Sequence, residues 1–323
     1  MHLTCTNMPS KLIDEALEGA KKGNIQNIVA LRGDPPKGQD KWTETEGGFS
    51  CALDLVKHIR AKYGEHFCVS VAGYPEGHPN VILPVEDVSK LSPAEKIRLV
   101  TLVCEESGNE SYFVCSDKDF AKEIAYLKQK VDAGADMIIT QMFFDTDVFL
   151  AFVKACRDAG IRVPVVPGIM LVQAYGGFKR MTKFCKSAVP KALRDNLEDA
   201  NKIKGGVKKL GADLGVRCSK TLLRANAAPV LHYYTLNMEK VVTDVLNGLG
   251  FLPEVADKAP KLPSPTTTTT TKLDRLRDSK MSETMENLAC RMQRGTILSE
   301  SREDIGGGVG CDDATAAKSA DGA

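Results

Sequence analysis

Short runs of β-branched and aliphatic residues alternate along this chain with longer stretches in which apolar residues recur every three or four positions. The first pattern is that of buried parallel strands and the second that of amphipathic helices. The series begins with what looks like the end of a strand, His2-Leu3-Thr4-Cys5. A helix follows from Pro9 and Ser10, with Leu12, Ile13, Ala16, Leu17 and Ala20 on one face and Gly23 as its stop. Ile28-Val29-Ala30-Leu31 reads as a buried strand that ends abruptly in Arg32-Gly33-Asp34. Next come a helix from about Phe49 to Tyr63 and a strand from Phe67 to Ala72, which ends in Gly73-Tyr74-Pro75-Glu76-Gly77-His78-Pro79. A helix near Asp119 to Asp132 turns Phe120, Ile124, Leu127 and Val131 inward and leaves Glu123, Lys128 and Lys130 on its opposite side. The strand Met137 to Gln141, a helix through Val148, Phe152 and Cys156, and the strand Val163 to Val166 with the tip Pro167-Gly168-Ile169 continue the rhythm. Helices within Gly177 to Asn226, a strand Val230 to Tyr234 and a helix Met238 to Leu249 complete it. Strand, polar tip and helix in repetition predict a parallel βα architecture.

Three stretches break this rhythm. The loop Pro35 to Gly48 is polar, holds Trp42 and is long for a βα connection, which points to a functional role. Residues 80–115 carry an apolar stretch around Ile97 to Val103 without a βα repeat, and are expected to form a surface excursion built round a helix. From Pro253 the composition shifts to prolines, six consecutive threonines (Thr266 to Thr271) and a Gly-rich end. Such a tail lacks the apolar surface to offset its ordering entropy. The domain reading is therefore 1–252 as a folded unit and 253–323 as a low-complexity tail, within which Met281, Met285, Leu288 and Met292 fall on one helical face.

Composition narrows the function classes. Lys plus Arg number 43 against 42 Asp plus Glu, so nothing recommends nucleic acid or an anionic membrane as partner. The ten cysteines are scattered singly, with no Cys-x-x-Cys pair or zinc spacing, and read as reduced core residues of a soluble cytoplasmic chain with no metal. No apolar run approaches the roughly 18 residues of a membrane span.

If the strands are parallel neighbours, one mouth receives His2, Arg32-Gly33-Asp34, Tyr74 with His78, Gln141, Pro167-Gly168 and Tyr233-Tyr234-Thr235. Cations, neutral amides, imidazoles and aromatic faces without a metal cluster suit a flat anionic cofactor. No Cys/His or Ser/His/Asp set can be assembled, which disfavours nucleophilic hydrolysis. The absence of Gly-x-Gly-x-x-Gly after a strand disfavours dinucleotide binding in the Rossmann manner. Singly, Gln141 could equally cap a strand, His58 and His66 are expected to face solvent, and His232 is expected to pack within its strand.

Taken together, seven segments in order resemble the methylenetetrahydrofolate reductase family: His2-Leu3-Thr4-Cys5, Ala30 to Pro35, Ala72 to Pro79, Asp132 to Asp136, Ile139 to Asp145, Pro167-Gly168-Ile169 and His232 to Asn237. The resemblance spans about residues 2 to 251, broken by the insertion. It implies a TIM-type (β/α)8 barrel, here lacking its first two to three strands, that binds FAD non-covalently. It further implies reduction of the flavin by NADH or NADPH and hydride transfer to 5,10-methylenetetrahydrofolate, giving 5-methyltetrahydrofolate for one-carbon and methionine metabolism. A homo-oligomer is compatible with this reading. Carried over position by position, His2, Arg32, Gly33, Asp34, Ala52, Tyr74, His78, Glu123 and Lys130 fall on FAD-contacting positions. Asp34 and Gln141 match positions beside the pterin, and Tyr234 matches a further folate contact.

The sequence also departs from the family pattern. The Phe-Glu-Phe-Phe-Pro-Pro strand, whose glutamate protonates the substrate, has no counterpart here, and no glutamate of this chain can be assigned that role. Two readings follow. In one the sequence is a piece of a longer chain, which the retained cofactor-matching residues favour; in the other it is a truncated barrel that binds FAD, folate or a protein partner without turnover. Met238 stands where the family commonly has an arginine, placing a charge contact to the folate glutamate tail in doubt, and Cys51 and Gln129 replace larger or more polar residues near FAD. The tail does not match the regulatory domain of animal members, so inhibition by S-adenosylmethionine through such a domain is not expected.

Overall fold

Each buried strand supplies alternate side chains to a layer of helices, and the helices answer with one apolar stripe apiece. The computed structural model describes residues 1–35, 42–104 and 107–252; the disorder expected of 253–323 lies outside them. In chain order the elements are β1 (His2–Thr4), α1 (Ser10–Lys22), β2 (Asn27–Leu31), α2 (Ala52–Tyr63), β3 (Cys68–Gly73), β4 (Leu83–Val85), α3 (Pro93–Ile97), β5 (Val100–Val103), β6 (Glu110–Val114), α4 (Asp117–Asp132), β7 (Met137–Phe143), α5 (Thr146–Asp158), β8 (Val165–Met170), α6 (Tyr175–Cys185), α7 (Lys191–Asn201), α8 (Gly206–Arg224), β9 (His232–Tyr234) and α9 (Glu239–Gly248).

Six strands form one parallel sheet in the order β1-β2-β3-β7-β8-β9. Spatial order follows chain order without reversal, so the sheet has no switch point of the doubly wound kind and winds as a barrel does. The winding also curls it. β1 and β9 lie five strand spacings apart, about 24 Å in a flat sheet, yet His2 of β1 is close enough to help depress the pKa of His232 on β9, after burial as the larger cause. An α/β fold with a curled, half-barrel parallel sheet is therefore what the described residues build.

Ile28, Ala30, Val69, Val71, Ile138 and Val165 are fully buried on the strands, as are Ile13, Leu17, Leu55, Ile59 and Phe149 on the helices packed over them. Each of these side chains larger than alanine contributes about 1.5–3 kcal/mol of transfer free energy. Helix starts are fixed locally. Ser116 accepts the Asp119 N–H at 3.1 Å ahead of α4, and Asp145 accepts the Asp147 N–H at 2.9 Å ahead of α5.

Three expectations are corrected. Residues 80–115 do not form an excursion built round a helix: they make a three-stranded antiparallel sheet in the order β4-β6-β5, with α3 as a five-residue helix beside it. β5 and β6 are rich in β-branched and aromatic residues, Val100, Thr101, Val103, Tyr112, Phe113 and Val114, and they bury Val100 and Val114. Pro167 and Gly168 lie inside β8 rather than beyond its end. His58 does not face solvent; its Nε2 meets Asp14 Oδ1 at 2.7 Å and ties α2 to α1, while His66 is exposed as expected.

A Cβ added to Gly211 on α8 would stand 1.8 Å from the Val172 carbonyl oxygen, whereas one at Gly19 on α1 would meet nothing within 4 Å. Gly211→Ala is expected to destabilise by about 1–3 kcal/mol or more as α8 is forced off β8. Gly19→Ala should stabilise by about 0.5–1 kcal/mol through helix propensity alone. Urea unfolding of both variants checks the contrast, and similar shifts in the two would contradict this close approach.

Candidate active site

The end of β2 is held open by a hydroxyl. Thr6, two residues beyond β1, has its Oγ1 2.9 Å from the Asp34 carbonyl and 3.2 Å from that of Arg32, and accepts the Trp42 indole N–H at 2.9 Å. Gly33 crosses this point at φ +90°, where a Cβ would lie 2.4 Å from Thr6 Oγ1, so only glycine fits. Trp42 is thereby laid under the Arg32 guanidinium, 5.6 Å from ring centroid to Cζ. Among the described residues neither Arg32 nor the exposed Asp34 makes a salt bridge. A cation and a carboxylate with no salt-bridge partner among the described residues stand at one strand end.

The loop after β3 carries Tyr74 and His78 with their rings edge to face at 4.8 Å. From α4, Glu123 and Lys130 approach the same loop. Lys130 corrects the sequence reading, which set it on the solvent side: it is 5% exposed and its Nζ donates to the Ala72 carbonyl at 2.8 Å. The wide buried arc of α4 reflects its position between the sheet and the β3 loop. Burial pulls the Lys130 pKa down to about 8, against the opposing pull of Glu123 and Cys51 nearby. Burial likewise raises Glu123, which Lys130 and the His78 backbone N–H hold back. His78 falls to about 4 through burial first and then the Arg32 and Lys130 cations, so both cations face it. Tyr74 rises to about 12 through burial, with Arg32, Asp34 and Glu123 as its charged neighbours. These dependences bring Arg32, Asp34, Tyr74, His78, Glu123 and Lys130 into one electrostatic neighbourhood.

Across the rim, Gln141 Oε1 accepts the Met142 N–H at 3.0 Å, leaving its amide NH2 to donate elsewhere. Tyr234 lies over Gly168, where a Cβ would meet the ring at 2.6 Å, and its hydroxyl donates to the Thr140 carbonyl at 2.9 Å. That hydroxyl is committed, so Tyr234 offers its ring face. Burial takes the Tyr234 pKa to about 12, with Tyr74 the next cause, which joins the two sides of the mouth.

Two assigned residues stand apart. His2 is exposed and pairs in register with Val29, three residues short of Arg32, and it bears on His232. Ala52 is buried at the first position of α2, whose N-cap Cys51 provides no side-chain hydrogen bond. In the first turn of α2 the Leu53 N–H already hydrogen-bonds to Tyr126, and Cys51 lies close to Lys130. Sequence reasoning missed Thr6, for which no local signal exists, and Gln173. The Gln173 Nε2 donates to the Thr235 carbonyl at 3.2 Å while its buried Oε1 has no partner. The pattern of amide residues just past strand ends could have found it. Among the described residues no cluster of His, Cys, Asp or Glu could hold a metal, and no helix is long and apolar enough to cross a membrane.

The profile of the family described as methylenetetrahydrofolate reductase matches residues 1–250. The chain belongs to that family. A rice protein named probable methylenetetrahydrofolate reductase (NADH) is 49% identical over 79% of this chain and 38% of its own length. Methylenetetrahydrofolate reductase (NADH) 1 of Arabidopsis thaliana is 46% identical over 79% of this chain and 38% of its own. Methylenetetrahydrofolate reductase 2 of Saccharomyces cerevisiae is 40% identical over 78% and 36%. The chain thus spans little more than a third of the length of the curated relatives it matches.

A buried ammonium is costly until an anion joins it. Lys130→Met is expected to stabilise the ligand-free protein at pH 7 by about 1–3 kcal/mol. The gap should narrow as pH rises from about 8 toward 10.5, because the folded protein releases the Lys130 proton first while the unfolded chain still holds it, and wild-type stability gains accordingly. Urea unfolding of both proteins across that range is the check; a destabilised variant, or a gap independent of pH, would contradict the assignment.

Proposed function

We propose that the protein is a flavoprotein oxidoreductase of its family, binding FAD and carrying out reduction of 5,10-methylenetetrahydrofolate to 5-methyltetrahydrofolate with NADH or NADPH as the reductant. The observation that carries this reading is the convergence of Arg32, Asp34, Tyr74, His78, Glu123 and Lys130 at the ends of adjacent parallel strands, opposite Gln141 and Tyr234. The names of the plant relatives specify NADH.

The residues fit FAD on structural grounds. The buried Lys130 ammonium donates to the Ala72 carbonyl and has further N–H groups to give, which suits a pyrophosphate. Gly33 lets a ring system approach the β2 backbone, and Tyr74 supplies an aromatic face. When bound, FAD supplies the hydride relay between the nicotinamide and the folate carbon. The chain's own share is placement. Asp34 accepts from the donor edge of the pterin and its charge bears on the flavin electronics, while the free amide NH2 of Gln141 donates to the pterin's acceptor edge. Tyr234 lays its ring against the folate, and the unpartnered Gln173 carbonyl accepts an N–H from it. Met238 lines a cavity of about 470 Å³ that runs from Gln173 between α8 and α9, and Lys208, Lys209 and Lys240 line it too. Lysines can therefore supply the charge contact to the glutamate tail that an arginine at position 238 would give.

Two measurements test the reading. The chain incubated with FAD and freed of excess is expected to stay yellow, to bleach on anaerobic NADH or NADPH, and to recover colour when methylenetetrahydrofolate is added; a colourless protein contradicts it. Asp34→Ala should slow the folate-dependent recovery by about tenfold or more while shifting the FAD Kd less than about threefold. Equal loss of both would sink the role given to Asp34.

A further inference from the structure

Three consecutive residues between α6 and α7 tie the root of the inserted sheet, the end of β7 and the β3 loop to one turn. Lys186 closes α6 in the left-handed conformation, φ 48°. Its Nζ donates to the carbonyls of Pro79 at 2.8 Å and Ile82 at 2.6 Å, at the root of the inserted sheet, and lies 5.7 Å from the Phe113 ring of β6. Ser187, 2% exposed, donates its hydroxyl to the Met142 carbonyl, next to Gln141. The N–H of Ala188 reaches back to the β3 loop and donates to Glu76 Oε1 at 3.1 Å.

Glu76 is 3% exposed and forms no salt bridge among the described residues. A carboxyl buried without a cation is costly and is retained only where its hydrogen bonds matter. It sits midway between Tyr74 and His78, in a loop whose ends are fixed by β3 on one side and by the Pro79 and Ile82 carbonyls on the other. We infer that Glu76 is a positioning residue of the flavin site: its buried carboxyl, with Lys186 as second anchor, holds the Tyr74–His78 loop on the 186–188 turn and so sets where the Tyr74 ring and the His78 imidazole stand. This rests on the flavin reading above and goes beyond it, because Glu76 itself touches no ligand in that reading.

The surroundings also determine which form of the carboxyl does this. Burial pushes Glu76 up to about 8, opposed by the Ala188 N–H and its own backbone N–H and assisted by Asp145 at the start of α5; Cys185 at the end of α6 also feels its charge. At pH 7 the carboxyl is neutral and accepts the Ala188 N–H through its carbonyl oxygen. Between its ordinary 4.5 and about 8 the unfolded chain gives up this proton before the folded one does, so the group's contribution to stability declines as pH rises and is gone above about 8. Above that pH a carboxylate faces Asp145 inside the loop's anchorage.

The test uses Glu76→Gln, which keeps a neutral acceptor of the same shape, and Glu76→Ala, which removes it, in the full chain. FAD affinity by flavin absorbance and hydrogen exchange at the Ala188 amide are the two readouts. Glu76→Ala is expected to weaken FAD by about tenfold or more and to speed Ala188 exchange, while Glu76→Gln stays within about threefold of wild type at pH 7. From pH 7 to 9 the wild-type FAD affinity should decline more steeply than that of Glu76→Gln. Faster Ala188 exchange with unchanged FAD affinity, Gln as damaging as Ala, or parallel pH profiles would each overturn the inference. If Glu76→Ala does not fold, Gln against wild type across pH still decides it. A wild type that takes up no flavin contradicts the flavin reading, and Ala188 exchange then still shows whether Glu76 holds the turn.

Discussion

The structure depends on one constraint: six parallel strands laid down in chain order, every one of which must end on the same rim. Parallel neighbours cannot be joined without a crossover, so each connection spends its apolar stripe on one face of the sheet and surrenders its polar residues at the strand ends. Curling of the sheet then turns a row of ends into a mouth. The chemistry of the site follows from this delivery, since no single loop contains it.

What gathers at the mouth is poorly satisfied on purpose of binding rather than of folding. Arg32 has an aromatic ring under it and no carboxylate partner among the described residues, and Lys130 holds a proton against burial with a backbone carbonyl as acceptor. Asp34 is left to solvent. Groups in such states cost stability in the ligand-free fold and lower that cost when a complementary anion or ring arrives. The surrounding scaffold compensates through features with no polar role, such as the fully buried Phe149 and Leu17 and the tight seat of α8 against Val172.

The strands and their helices were legible because period and punctuation agree: Ile28, Ala30, Val69 and Val71 alternate, and each run ends in glycine or a charge. The candidate residues on the β2, β3 and β7 ends were legible for the same reason. Lys130 was expected in solvent because of its charge, although at about 60° from Leu127 on the helical wheel it continues the buried stripe of α4 rather than opposing it. The inserted sheet was misread because a short apolar run has no decisive period until its partner strand is known; the pairing of Val100 with Phe113 spans thirteen residues. Thr6, Glu76 and Lys186 act through contacts distant in sequence, at 28, 112 and over 100 residues respectively, and no local pattern marks them.

The central claim is that these strand ends surround a single flavin with a folate laid against it. A crystal structure of the full chain grown with FAD tests this most directly. The account predicts the isoalloxazine stacked within van der Waals reach of Tyr74, its pyrophosphate on Lys130, and Asp34 and Gln141 lining the open face beside it. A flavin seated elsewhere, or Asp34 and Gln141 turned onto separate surfaces around it, would contradict the account.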